Sequence, residues 1–269
     1  MKSVALAYHD VVKNRNYDSS GFRGEGANHY KLDYENFDHH LRAFAEANKS
    51  AAVLADSAFT SPDPPNEIPL FLTFDDGGVS ALSPTCDLLE TCGCRGHFFI
   101  TTNYIGKPGF VRAEDVREMR RRGHLIGSHS CSHPPRMSAL SYTQMVNEWR
   151  SSNAVLSDIL GEPTPVASVP GGYFSRQVAE AASEAGIKVL FNSEPGKKGH
   201  FIDGCLVLPR YSVYRSTPAQ LAVKLVSDNY SSEQVKQYVL WNTKKVVKAL
   251  GGTYYLRLRE RLFAQGKPH

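Results

Sequence analysis

Two adjacent aspartates end an apolar run in the stretch "PLFLTFDDGGVS" at residues 69–80. Because strand interiors avoid Asp and Gly, Asp75 and Asp76 are expected where a buried strand emerges into a turn. Two neighbouring carboxylates repel each other, so the pair needs a compensating charge nearby. A divalent cation would supply that charge if one aspartate bound the metal and the other stayed free as a base.

A second polar cluster, "GSHSCSH" at residues 127–133, follows another apolar stretch and supplies His129 and His133. The His-xxx-His spacing places both imidazoles on one side of a helical turn or tight loop. Two imidazoles and one carboxylate form a three-ligand site that leaves coordination positions open for water and substrate. Each pattern is weak alone, but the two together, each at the end of an apolar strand, favour a metal site.

The elements that must position these side chains alternate between apolar strands and helices. Strands are predicted at "SVALAYHDV", "IPLFLTFDD", "RGHFFITTNYI", "HLIGSHS", "PVASVPGG", "IKVLFNS" and "GCLVLPRYSV". Repeated strand–helix units with buried strands are typical of a parallel sheet or barrel. The carboxyl ends of parallel strands share the face where sites assemble. Gly171, Gly172 and Arg210 also come at or near strand ends, so they are expected on that face.

The composition limits the classes of function. The chain has 269 residues, of which 41% are hydrophobic, so one large α/β domain with a sizeable core is expected. The net charge of +4 is too small to indicate nucleic-acid binding. Five cysteines, an odd number, favour reduced and packed thiols over a disulfide framework. The first residues are interpreted as a strand and not a signal peptide, and no apolar stretch approaches about 18 residues, so a cytoplasmic protein is expected.

Three motifs resemble those of the polysaccharide deacetylases, the NodB-homology domain of carbohydrate esterase family 4. "LTFDDG" is similar to the first motif, "RRGHLIGSHSCSH" to the second, and "SVPGGYFS" to a variant of the third, within a similarity that covers residues 3–215. The resemblance implies a distorted (β/α) barrel and a divalent metal, with zinc favoured over cobalt, nickel or iron. It also implies hydrolysis of an N-acetyl or O-acetyl group on a sugar.

The resemblance assigns roles to individual residues. Asp76, His129 and His133 would hold the metal, and Asp75 would be the general base that activates water. A backbone N–H of the third motif, at Gly172 or Tyr173, would stabilise the oxyanion.

Two features of the family are missing from this sequence. Ser168 lies where the third motif usually carries an Arg that pairs with the catalytic Asp, and Arg210 is the candidate replacement, in a bidentate pair with Asp75. The last motif, a Leu-x-His that supplies the general acid, is absent. His9, at the end of the first strand, is the preferred proton donor, with a packed structural histidine as the alternative reading. His200 is a weaker candidate.

The C-terminal part differs in composition from the rest. We expect a catalytic domain at residues 1–215 and a helical extension at residues 216–269. Residues 232–269 hold eight Lys or Arg against two Glu, interleaved with apolar side chains. A basic amphipathic helix of this kind can lie on an anionic membrane surface, but packing on the domain is the preferred interpretation.

The predicted function is a metal-dependent hydrolase that removes an N-acetyl group from an amino sugar in a glycan or a lipid- or nucleotide-linked precursor. One alternative is hydrolysis of a non-sugar amide or an O-acetyl ester. Another is a non-catalytic glycan-binding relative, because the Arg and His motifs are missing. Groove-lining side chains are expected among Tyr30, Tyr104, Phe110 and Tyr211.

Overall fold

The structure is a computed structural model that describes residues 1–51 and 68–243. Nine strands form one curled sheet in the order β11-β1-β4-β5-β6-β7-β8-β10-β9, in which every pairing is parallel except that of β9 with β10. The strands of this sheet are β1 Val4–Tyr8, β4 Leu70–Phe74, β5 Gly96–Ile100, β6 Leu125–Ser128, β7 Val166–Ser168, β8 Val189–Phe191, β9 His200–Ile202, β10 Cys205–Leu208 and β11 Tyr211–Ser212. A separate parallel pair joins β2 to β3, at Val11–Val12 and Leu32–Asp33.

Helices cover the outer face of the sheet. The α-helices are α1 Glu25–Asn28, α2 Tyr34–Glu46, α3 Asp87–Thr91, α4 Ala113–Arg121, α5 Tyr142–Leu160, α6 Arg176–Glu184 and α7 Ala219–Leu225, and residues 232–243 are also helical. The longest, α5, begins with a capping box between Ser141 and Gln144 and ends at Gly161, whose φ of 72° suits glycine. The side chain of Ser175 accepts from the backbone N–H of Val178 and so caps the N-terminus of α6.

The two faces of the strands build different parts of the core. Residues that alternate along the strands point into the barrel and form an inner cluster, namely Ala5, Phe71, Phe99, Val166, Val189, Phe191, Leu206 and Leu208. The other face packs against the helices. Because side chains alternate across a strand, Asp75 continues the inward series of Phe71 and Thr73, and His9 continues that of Ala5. The pattern therefore sends both side chains towards the inside of the barrel mouth.

Two local predictions need correction. The stretch "SALSPTCDLLETCG" at residues 80–93 predicts one helix that ends at Gly93. This prediction is wrong, because Ser83 has extended backbone angles (φ −141°, ψ 124°) and regular α-helix begins only at Asp87. The residue before a proline is disfavoured in the α conformation, and Pro84 follows Ser83. The polar, Gly-rich residues 12–33 predict a long loop, but α1 and β3 lie within them. Strand β9, the antiparallel edge, is not among the predicted strands.

The first part of the predicted C-terminal extension packs on the domain. Helix α7 lies against α2, and Gln237 of the following helix exchanges two hydrogen bonds with the backbone of Ser212 in β11. Within the described residues, no helix is long and apolar enough to cross a bilayer. Seven of the eight Lys and Arg among residues 232–269 lie beyond residue 243, outside the described part, so the membrane contact and the boundary at residue 215 stay predictions.

Candidate metal centre and active site

Three predicted ligands converge at the carboxyl ends of two parallel strands, β4 and β6, that lie on either side of β5. Asp76 follows β4, and His129 and His133 follow β6. One carboxylate oxygen and one nitrogen from each imidazole all lie within 4.8 Å of one another. Oδ1 of Asp76 is 3.4 Å from Nε2 of His129 and 3.3 Å from Nε2 of His133. The structure therefore brings together the three side chains that the sequence predicted as metal ligands.

The chemistry of this donor set fits a divalent transition metal. Two imidazoles and one carboxylate are typical ligands of catalytic zinc, and Oδ1 of Asp76 is buried without a hydrogen-bond partner. Burial opposes ionisation of Asp76, but the facing imidazoles of His129 and His133 hold its pKa well below the usual value. The backbone of Asp76 is left-handed, with φ of 77°, a conformation that costs a non-glycine residue about 1–3 kcal/mol. These features together fit a cation at this point.

The hydrogen bonds of His129 fix its tautomer. Its Nδ1 lies 3.1 Å from the backbone oxygen of Ser168, which can only accept, so Nδ1 carries the proton. The hydroxyl of Ser168 lies 2.5 Å from the same nitrogen. In the neutral ring, the proton on Nδ1 leaves the lone pair on Nε2, so Nε2 is the nitrogen that can bind a metal.

The second aspartate of the pair lies against a buried guanidinium. Arg210 donates from Nη1 to Oδ1 of Asp75 at 2.8 Å and from Nη2 to Oδ2 at 2.9 Å. It also donates to Oγ1 of Thr73 and to the backbone oxygen of Asn192, both at 2.9 Å, and its side chain is fully buried. Burial alone would raise the pKa of Asp75, but the charge of the Arg210 guanidinium lowers it to about 2. The predicted bidentate pair is thus present in the structure, and Asp75 is held ionised.

Ser168 links Asp75, the predicted base, to His129, a predicted metal ligand, and sequence reasoning did not foresee this contact. Its hydroxyl donates to Oδ1 of Asp75 at 3.0 Å while it lies next to Nδ1 of His129. The sequence analysis singled out Ser168 only as the position without an arginine. Its place at the start of the third motif, at the end of β7, is the signal that could have identified it.

His9 lies at the mouth, at the end of β1. The backbone N–H of Asp75 donates to the backbone oxygen of Tyr8, so His9 and Asp75 follow neighbouring strands side by side. The Nδ1 atom of His9 is buried without a hydrogen-bond partner, and its ring centroid is 5.0 Å from that of Tyr30. His9 is therefore close to the aspartate pair, whereas His200 is exposed on the edge strand β9.

The predicted oxyanion turn follows β7 directly. Gly171 and Gly172 both have left-handed backbone, with φ of 65° and 69°. A Cβ on Gly171 would lie 2.8 Å from the backbone oxygen of Pro135, so only glycine fits there. Tyr173 comes next, with the guanidinium of Arg136 5.3 Å from its ring centroid. Because β7 ends at the residue that contacts His129 and Asp75, this turn borders the site.

Aromatic side chains line the approach to the ligands. The ring centroid of Phe22 lies 4.8 Å from that of His133 and 4.8 Å from that of Tyr104. The ring of Phe110 packs against the rings of Phe22 and Tyr104. Tyr30 lies beside His9. The expectation that Tyr211 lines a groove is wrong, because this residue belongs to β11 and is 1% exposed.

Sequence comparison relates about half of the chain to known deacetylases. Residues 63–190 match the profile of a family described as polysaccharide deacetylase. The putative polysaccharide deacetylase YxkH of Bacillus subtilis is 26% identical over 137 residues, which cover 51% of this chain and 49% of that protein. Peptidoglycan-N-acetylmuramic acid deacetylase PdaA of the same organism is 27% identical over 141 residues, which cover 48% of this chain and 52% of that protein. The chain thus spans about half the length of these curated relatives.

Structural comparison covers more of the chain. Deacetylase PplD of Streptococcus pyogenes, solved in complex with acetate, superposes with a TM-score of 0.70 over 84% of this chain and 99% of the other, at 16% identity. IcaB from Ammonifex degensii gives a TM-score of 0.67 over 84% of this chain and 97% of the other, at 18% identity. At these identities the likeness concerns the fold, and it confirms the predicted distorted (β/α) barrel.

Proposed function

We propose that this chain belongs to the polysaccharide deacetylase family, whose profile matches residues 63–190, and that the protein is a metal-dependent hydrolase that removes an N-acetyl group from an amino sugar. The observation that carries this proposal is the convergence of the Asp76, His129 and His133 ligand atoms next to the buried pair of Asp75 with Arg210. A ligand triad beside an ionised carboxylate that is held in place is the arrangement that water activation needs.

Asp76, His129 and His133 would hold the ion, for which zinc is the first choice over cobalt, nickel or iron. When bound, the ion would act as a Lewis acid that polarises the acetyl carbonyl and lowers the pKa of water. Asp75 would then accept the proton of the attacking water as the new carbon–oxygen bond forms. The guanidinium of Arg210 keeps this carboxylate ionised and fixes both of its oxygens, at the expense of basicity, since a low pKa makes a weak base.

The second half of the reaction requires a proton for the departing amine. As the carbon–nitrogen bond breaks and acetate leaves, His9 would donate that proton from its position beside Asp75. The backbone N–H groups of the turn at Gly172 and Tyr173 would stabilise the negative charge that develops on the carbonyl oxygen. In this proposal the acid, the base and the oxyanion donors lie at three different strand ends of the barrel mouth, those of β1, β4 and β7.

The substrate class is a glycan or glycan precursor that carries an acetamido sugar. One of the matched relatives is named for the N-acetylmuramic acid unit of peptidoglycan, which supports hydrolysis of an amide on a sugar. The aromatic rings of Phe22, Tyr104 and Tyr30 flank the site, and aromatic faces offer sugars an amphipathic surface. Because a cytoplasmic location is expected, lipid- and nucleotide-linked amino sugars should be tested as substrates together with oligosaccharides.

The test is acetate release from N-acetylglucosamine oligomers and from linked precursors. Removal of metal with a chelator should abolish release, and Zn²⁺ or Co²⁺ should restore it. Asp75→Asn should bind metal like the unaltered protein but lose about 10²–10⁴-fold in turnover. Full activity after complete metal removal, or retained turnover in Asp75→Asn, would contradict the proposal. Hydrolysis of O-acetyl esters or non-sugar amides without release from N-acetyl sugars would instead favour the alternative substrates.

A further inference from the structure

The loop that carries both histidine ligands has a strained backbone. Ser130 and His133 are not glycines, yet both adopt left-handed angles, with φ of 65° and 56°. Such conformations are unfavourable for residues with a side chain and persist only where the surroundings hold them. The loop therefore needs external contacts to keep the two imidazoles within reach of Asp76.

Glu148, on α5, provides the main contact of this kind. Its Oε2 accepts from the backbone N–H of Cys131 at 3.0 Å and from that of Ser132 at 2.8 Å, and its Oε1 accepts from the hydroxyl of Ser132 at 2.6 Å. Cys131 and Ser132 are two of the three residues between the ligands. Hydrogen bonds that involve an ionised acceptor are stronger than neutral ones, so one carboxylate fixes the middle of the loop.

The helix that carries Glu148 is a firm support. Its neighbour in sequence, Trp149, is fully buried. One helical turn later, Ser152 accepts from the hydroxyl of Ser128, which in turn accepts from the backbone N–H of Ser130. Helix α5 thus holds both the start and the middle of the ligand loop.

We infer that Glu148 is a positioning residue for the metal centre: it pre-organises the loop between His129 and His133 and so raises metal affinity without touching the ion or the substrate. This inference rests on the proposed function, because it assumes that the Asp-His-His triad binds a metal. Partners outside the ligand set commonly contribute 10–100-fold to metal affinity. The sequence gives no hint of the role, since Glu148 lies 15 residues after His133 in a helix of mixed composition.

The experiment measures the Kd for Zn²⁺ of the metal-free full chain by competition with a chromophoric chelator. Glu148→Gln keeps the size of the side chain but removes the charge and one acceptor oxygen, and it should raise the Kd by about 10–100-fold. Glu184→Gln is the matched control, because this exposed glutamate on α6 accepts from the hydroxyl of Tyr142 and from Arg150, away from the loop. The control should bind Zn²⁺ like the unaltered chain.

The melting temperature of each metal-free variant separates positioning from general destabilisation. A raised Kd in Glu148→Gln, with a melting temperature like that of Glu184→Gln, supports the inference, whereas an unchanged Kd overturns it. If Glu148→Gln does not fold, Ser132→Ala takes its place, because it removes only the hydroxyl donor and should raise the Kd by a smaller factor. An unchanged Kd in Ser132→Ala would then overturn the inference. Failure of the unaltered chain to bind Zn²⁺ would be a different result, since it would refute the proposed function itself.

Discussion

The buried pair of Arg210 with Asp75 gives the sharpest prediction about stability. Arg210→Met keeps a long side chain but removes the charge and all five N–H donors. In the structure, those donors serve both oxygens of Asp75, the hydroxyl of Thr73 and the backbone oxygen of Asn192. After the change, the carboxylate of Asp75, which is 6% exposed, keeps only the hydrogen bond from Ser168.

The expected loss follows from the burial of both partners. Removal of one member of a buried ion pair leaves an uncompensated charge and costs about 3–5 kcal/mol of unfolding free energy. For a chain of this size, a loss of 1 kcal/mol lowers the melting temperature by about 2–4 °C, so the drop should be about 6–20 °C. Arg150→Met is the control, because its pair with Glu184 is exposed and should contribute about 0–1 kcal/mol.

The assay is urea unfolding followed by circular dichroism, with a chelator present so that metal binding does not contribute. The double variant Asp75→Asn/Arg210→Met tests the cause, because it removes the unpaired charge and should be more stable than Arg210→Met alone. If Arg210→Met unfolds like Arg150→Met, or if the double variant recovers nothing, then the unpaired carboxylate is not the source of the loss. Either result would refute the reasoning.

Three further predictions concern other single residues. His9→Ala should lower kcat in acetate release while the metal content, measured by elemental analysis, stays unchanged, and an unchanged kcat would assign the proton donor elsewhere. Ser168→Ala should raise the Kd for Zn²⁺ in the chelator competition by about 10–100-fold, because it removes the hydroxyl next to Nδ1 of His129, and an unchanged Kd would show that the backbone oxygen suffices. Burial lowers the pKa of His40 to about 4, below the usual value of about 6.5, so the folded state favours the neutral ring. The neutral ring of His40 therefore contributes about 3 kcal/mol to the free energy of unfolding above pH 6.5, and this contribution is lost as the pH falls towards 4. The urea midpoint of His40→Gln should fall less steeply between pH 6.5 and pH 4 than that of the unaltered chain. Equal slopes for the two proteins would contradict this prediction.

The sequence was sufficient to predict most of the strands and the convergence of Asp76, His129 and His133, for a physical reason. Strands buried on both faces read as continuous apolar runs, so polar residues stand out where such runs end. Asp75, Asp76 and His129 lie at these points, and the parallel order of β4 and β6 places them at one edge of the sheet. Such a pattern involves only residues that are adjacent in the sequence, so it can be recognised without knowledge of the three-dimensional structure.

Features that depend on contacts between distant segments were harder to predict. Ser168 contacts Asp75 from 93 positions later in the chain, and Glu148 contacts the ligand loop from a helix. Neither side chain stands out from its sequence neighbours. The antiparallel strand β9 was missed for a similar reason, since its residues His200 and Phe201 are exposed and form no apolar run.

Arg210 shows why the order of motifs along a sequence can conceal a shared geometry. In the sheet, β10 lies five positions from β4, whereas β11 pairs with β1, the direct neighbour of β4. Only Pro209 and Arg210 separate β10 from β11, so the sheet must curl until its two ends come close, and Arg210 lies in the short connection between them. From this connection the guanidinium of Arg210 reaches Asp75 inside the barrel. The arginine that pairs with Asp75 therefore comes later in the chain than the third motif, and Ser168 of that motif contacts both Asp75 and His129. The absence of an arginine from the third motif is therefore a relocation of the charge, and it does not argue for loss of catalysis.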